Sequence, residues 1–246
     1  MPVVKVIPDA VELILQEEQR QWTCAEIPVL QAGICVPQCQ SGMSGRAMRR
    51  FNRYYRQCAR SFLSYCGRWI YPEALAAFEH ARDESAPLPC AQASLTCTVT
   101  CNERGVLSLY ADCTEWAGAP EALTLRRADT WSLETGYPIA ASECFPRGTR
   151  VRALCLAAAR EQCSRRQESS LAIYHPDLSR RLRRNLNLRN FYLSEKGFHF
   201  FYQPWAIAPG FESCPTFLLP FSTDENDTVG PLWPTGNPCN AEKSIV

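Results

Sequence analysis

Between Ser44 and Tyr71 the chain has no aspartate or glutamate, and its apolar residues recur at steps of three and four. Met48, Phe51, Tyr55, Cys58, Phe62, Tyr65 and Trp69 form one stripe, which predicts a helix from about Gly45 to Ile70. Arg46, Arg49, Arg53, Arg56 and Arg60 run beside it, offset by two residues. Two residues turn a helix by about 200°, so the arginines take the opposite face. Ser44 is placed to cap the first turn. A helix this long with one apolar side must lay that side on another layer. The rest of the chain is expected to supply a sheet.

The strand signals follow. In Ser94–Cys101, Leu95, Cys97, Val99 and Cys101 share one face and Thr96, Thr98 and Thr100 the other. Val106–Glu115 comes next, across a hairpin loop at Asn102–Gly105. For odd-numbered residues of both strands to face one core a bulge is needed, and Gly105 is its expected place. Leu123–Leu133 reads as a longer strand, turned by Glu134–Pro138. Phe191–Leu193 and Phe198–Tyr202 flank a second hairpin at Ser194–Gly197, and Thr216–Phe221 is a last strand. Four more helical stretches are expected. Val11–Arg20 is one, and Glu73–Arg82, beyond a boundary at Pro72, is another. Thr149–Arg166 buries Val151, Leu154, Cys155 and Ala158, and Pro176–Leu186 carries Leu178, Leu182 and Leu186. Hairpins without regular strand–helix–strand alternation indicate an α+β fold. It comprises an antiparallel sheet with a long N-terminal helix and two shorter helices packed against it. Residues 1–24 are expected to be an extension, 25–221 the domain, and 222–246 an irregular tail.

Composition narrows the chemistry. With 26 basic and 25 acidic residues, net +1, the chain is no globally basic nucleic-acid binder, although 23 of the cations are arginine. The start, Met1–Asp9, lacks the apolar core of a secretory signal, and no run of 18 apolar residues exists, so no membrane span is expected. A cytoplasmic, reducing setting is the expectation for the 14 cysteines. They show no C-x-x-C spacing, and Cys58, Cys66, Cys97, Cys101 and Cys113 fall on strand or helix faces where a small apolar residue would serve. No metal and no cofactor is expected.

Catalysis has little to stand on. His80, His175 and His199 lie in no triad or zinc-protease context, and there is no phosphate-binding glycine loop. Asp224, Glu225 and Asp227 are too few for a calcium loop. No catalytic residue is assigned, and an enzyme is the less favoured class.

The stretch Asn190-Phe-Tyr-Leu-Ser-Glu-Lys-Gly-Phe-His-Phe-Phe-Tyr-Gln-Pro-Trp-Ala-Ile-Ala-Pro209, with Phe217-Leu-Leu-Pro-Phe221, resembles a bacterial domain family of unknown function. That family forms the extracellular sensor of the anti-sigma-V factor, which recognises lysozyme, and stands beside a peptidoglycan deacetylase as an accessory domain. Gly105–Tyr110, Arg127–Gly136, Glu143–Phe145 and the helix containing Asn52 extend the likeness over roughly 25–221. The loop Phe211–Cys214 departs from the family pattern, as does the absence of the sigma-binding segment and of the catalytic domain. The resemblance implies a non-catalytic binding or sensing module. The alternatives are a cell-wall hydrolase and a binder of anionic polymer. Candidate binding residues are Arg46, Arg49, Arg53, Arg56, Arg60, Tyr202 and Trp205. The expected partner is an unidentified protein or an anionic polymer. Lysozyme follows from the resemblance, but a cationic helix face would repel so basic a partner. If the helices at 46–68, 147–166 and 180–184 pack on one sheet face, their arginines merge into one surface.

Overall fold

The computed structural model describes residues 9–116, 122–209, 214–221 and 230–234. The acidic cluster at 224–227, Cys239, and most of the 222–246 tail lie outside them.

Two tight turns organise the first sheet. Ala25 and Glu26, at φ 47° and 69°, join β1 (Glu12–Cys24) to β2 (Ile27–Ser41). Arg104 and Gly105, at 50° and 78°, join β3 (Ala91–Glu103) to β4 (Val106–Trp116). Two successive positive φ values match the right-handed twist of the flanking strands. Residues 12–20, expected to be helical, are therefore extended and pair with β2. The segment expected to precede the domain thus supplies, at 12–24, the sheet's edge strand. The bulge lies at Val99–Cys101, not at Gly105. The two-residue turn pairs Glu103 with Val106, so odd residues oppose even ones until an extra residue restores the phase. Val99, expected inward, is consequently exposed. β5 (Leu123–Ser132) completes the order β1-β2-β3-β4-β5.

This sheet is mixed, not antiparallel: β2 and β3 run parallel, from Leu30↔Ala91 to Cys35↔Thr96. Parallel neighbours need a crossover, and the long helix provides it. It is longer than the sequence suggested. Helix α1 (Gly45–Tyr65), a π turn (Cys66–Ile70) and α2 (Tyr71–Asp83) form one unbroken run of about 39 residues. Pro72, the expected boundary, sits in the first turn of α2. The wide π turn just before it loosens the hydrogen-bond ladder where proline has no N–H to give. Ser44 Oγ accepts the Ala47 N–H at 3.3 Å, as a cap should.

Phe51, Tyr55, Phe62, Cys66 and Ile70 are buried against Leu30, Ile34, Leu95, Leu107, Leu109 and Trp131. The stripe read from the sequence holds at its start and rotates out at its end. Trp69 is 65% exposed and Tyr65 39% exposed, and the seam passes to Cys66 and Ile70. A strict seven-residue spacing drifts by about 20° per heptad around a straight helix. The drift turns Cys58 and Tyr65 to the flank of the helix.

A second, three-stranded sheet holds β6 (Phe191–Ser194), β7 (Gly197–Phe201) and β8 (Thr216–Pro220), antiparallel throughout. One face, Phe191, Leu193, Phe198, Phe200 and Phe217, packs on α3 (Val151–Glu168) and α4 (Leu178–Asn185) through Val151, Cys155, Ala159, Cys163, Leu182 and Leu186. The other face meets the first sheet: Tyr192 lies 5.2 Å from Tyr110, ring to ring, and the Leu193 N–H donates to Ser108 Oγ at 2.8 Å. Along β4, Leu107 and Leu109 face α1 while Val106 and Ser108 face the second sheet. The layers are therefore helix, sheet, sheet, helix. Among the described residues no helix is long and apolar enough to cross a membrane. The 13 described cysteines are thiols, eight of them buried.

Candidate functional site

Strand alternation puts Arg127, Asp129 and Trp131 of β5 on the face that looks at α1. Trp131, 1% exposed, is the anchor, with Phe51 and Tyr54 edge-on at 5.3 and 5.1 Å. Its indole N–H donates to Tyr55 Oη at 3.1 Å. The Tyr55 hydroxyl donates to Asp129 at 3.3 Å and the Tyr54 hydroxyl donates at 2.9 Å. Arg127 donates to Tyr54 Oη and lies 3.6 Å from the Asp129 carboxylate. Consecutive helix positions make the two tyrosines diverge by about 100°. Tyr55 goes into the core, whereas Tyr54 lines the flank.

That flank is a groove of about 530 Å³. Its walls are Cys58, Phe62 and Tyr65 of α1 and Leu95, Cys97, Ala111, Cys113 and Leu125 of β3–β5, with the Arg127–Asp129 pair among its lining. Burial pushes the thiols of Cys97 and Cys113 up to about 12 and about 11, so they stay uncharged. At the Tyr65 flank, the phenol donates to Glu115 at 3.2 Å. A second, more polar cleft of about 690 Å³ borders the same Arg127 and Asp129 and is lined by Ser142, Asn187, Arg189 and Asn190. Arg127 and Asp129 thus stand between an apolar groove and a more polar one.

Burial is the largest influence on Asp129 and lifts its carboxyl above the ordinary value, with Arg127 and the tyrosine hydroxyls pulling it partly back. The folded chain therefore keeps this proton to higher pH than the unfolded chain. Its contribution to stability should fall as pH rises from about 4 to the raised value, and then level off. Asp129→Asn, neutral throughout, should lose that slope. Urea unfolding at a series of pH values from 4 to 7 tests this; a difference from wild type that does not change with pH would refute it.

The residues singled out in the sequence are scattered. Arg46, Arg49, Arg53, Arg56 and Arg60 are all exposed on the outer face of α1. They do not merge with the arginines of α3 and α4, which lie across both sheets on the far side of the molecule. Tyr202 is fully buried, its hydroxyl donating to the Leu182 carbonyl at 3.1 Å, and it packs edge-on against Phe217. Trp205 is 58% exposed at φ 65° and is not among the residues lining the groove. His199 is half-buried, stacked on Tyr192 and bonded to Ser194 Oγ. The groove residues Tyr54, Arg127 and Asp129 were not singled out. Their signal was present: a charged pair alternating onto the same strand face as a tryptophan, inside a segment that must be half-buried. Among the described residues no three His, Cys, Asp or Glu are arranged to hold a metal ion.

The fold and site define a two-sheet α+β protein with a groove under its long helix. Residues 145–222 match the family described as a protein of unknown function, DUF3298. Two crystal structures share the fold. A DUF3298 family member from Bacteroides fragilis is 12% identical, with 87% of this chain and 92% of that chain covered and a TM-score of 0.62. A DUF3298 family protein from Pseudomonas aeruginosa is 14% identical, covering 87% and 93%, with a TM-score of 0.56. No curated protein matches the chain. The matched segment is essentially the second sheet with α3 and α4. Every residue lining the groove lies before it.

Proposed function

We propose that the protein is a non-catalytic binding module whose ligand site is the groove between α1 and β3–β5. One observation carries this reading: an apolar cavity of about 530 Å³ is lined by a tyrosine–aspartate–arginine cluster. Packing for stability alone fills such space and excludes such charge. The volume is that of a small-molecule site. Hydrolysis through a carboxylate pair is the weaker reading. Asp112 turns to the opposite face of the sheet, where Arg126 holds it at 2.7 Å. A polymer-binding reading keeps only the arginines of α1, since those of α3 and α4 lie elsewhere.

The test is a neutral apolar dye. Nile red should bind with one-to-one stoichiometry and a blue-shifted emission. Ala111→Leu, which fills the groove from its floor, should abolish that signal while leaving the protein folded by circular dichroism. Dye binding that survives the substitution would place it elsewhere and defeat the proposal.

A further inference from the structure

The chemistry of the groove's two ends points to the class of ligand. We infer that it takes a single-chain amphiphile with an anionic head, the chain lying between α1 and β3–β5 and the head held by Arg127. The inference rests on the groove being the ligand site. Three observations support it. The body of the groove is mostly hydrocarbon, aromatic ring and uncharged thiol, with Gln57 and Ser61 of α1 among its few polar side chains, which suits a chain and offers a sugar or peptide few partners. Arg127 sits where this groove meets the polar cleft, with its side chain 63% exposed; the same terminal nitrogen, Nη2, donates to Tyr54 and lies 3.6 Å from Asp129. A guanidinium has five N–H donors and can hold Asp129 on one side and an acidic head on the other. The surroundings select the sign of that head. Arg189 lines the polar cleft alongside Arg127. Asp129 is half-buried behind its two tyrosine donors, and Glu115 is engaged by Tyr65. A cationic head would meet Arg127 and Arg189 at the junction.

Carboxylate and phosphate share this chemistry, so both belong in the test. Calorimetric titration, below micelle-forming concentrations, compares dodecanoate, dodecyl phosphate, a neutral dodecyl glucoside and dodecyltrimethylammonium. Both anions should bind one-to-one, about tenfold or more tighter than the neutral amphiphile, and the tighter of the two identifies the head. Each methylene added to the chain should tighten binding roughly threefold to fourfold. Arg127→Ala and Arg127→Gln should weaken the anions about tenfold and leave the neutral amphiphile unchanged, which also shows that the groove is intact. If neutral and anionic amphiphiles bind alike and the Arg127 variants change nothing, the groove remains a ligand site and the anion is wrong. If no amphiphile binds, or Ala111→Leu leaves binding as it was, the groove reading falls as well.

Discussion

Replacing Trp131 by alanine should lower the free energy of unfolding by about 3–5 kcal/mol, the cost of a large aromatic removed from a closed core. Trp131 is 1% exposed at the point where β5, the first turns of α1 and the Thr135–Pro138 turn converge. The substitution empties that junction and strips edge-to-face contacts from Phe51 and Tyr54. It also takes the indole donor from Tyr55 Oη, whose other bond goes to Asp129. Trp131→Phe keeps most of the volume and loses the N–H, so about 1–2 kcal/mol is expected there. Urea denaturation followed by circular dichroism separates the two. A loss below about 1 kcal/mol for the alanine variant would mean that Trp131 is no anchor. The alanine variant should also lose dye binding in the groove, because Tyr54 and Tyr55 are held in place partly by that ring.

The helix at 45–65 and the second sheet were legible because their signals are local. Helical spacing marked Phe51, Tyr55 and Phe62, and the hairpin at Ser194–Gly197 was readable from its turn and the flanking aromatics. Edge strand β1 was not. Val11–Arg20 is rich in leucine, glutamine and glutamate, which favour helix intrinsically, and pairing along the whole of β2 overrides that preference. Its turn gave no warning, since Ala25-Glu26 contains neither glycine nor asparagine at the two positive φ positions. The parallel pairing of β2 and β3 was hidden for a different reason: a single crossover in a chain of hairpins leaves no repeating pattern. The groove was hidden because it depends on how far α1 rotates over β3–β5. That rotation turns Cys58 and Tyr65 away from the core, where sequence spacing had placed them.

Gly136→Ala should cost about 3 kcal/mol or more, through two independent terms. Gly136 sits at φ 67°, where an L side chain is strained, and an added Cβ would lie 2.5 Å from both Cα and Cβ of Ala47 in the first turn of α1. The turn cannot retreat easily. Arg50 donates to the Thr135 carbonyl at 2.7 Å and stacks over the Tyr137 ring at 3.5 Å, while the Gly136 N–H is bonded to the Ser132 carbonyl at 2.8 Å. Relief has to come from the start of α1 lifting off β5, which disturbs the Tyr54–Asp129 contact a few residues along. Ligand affinity in the groove should therefore fall together with stability. Gly33→Ala is the control: its Cβ meets nothing within 4 Å and its φ is not positive, so it should leave both unchanged or raise stability slightly. Unfolding curves and groove titrations on the two variants decide the matter. If Gly136→Ala destabilises without weakening groove binding, the turn at 135–137 braces the fold alone and plays no part in shaping the site.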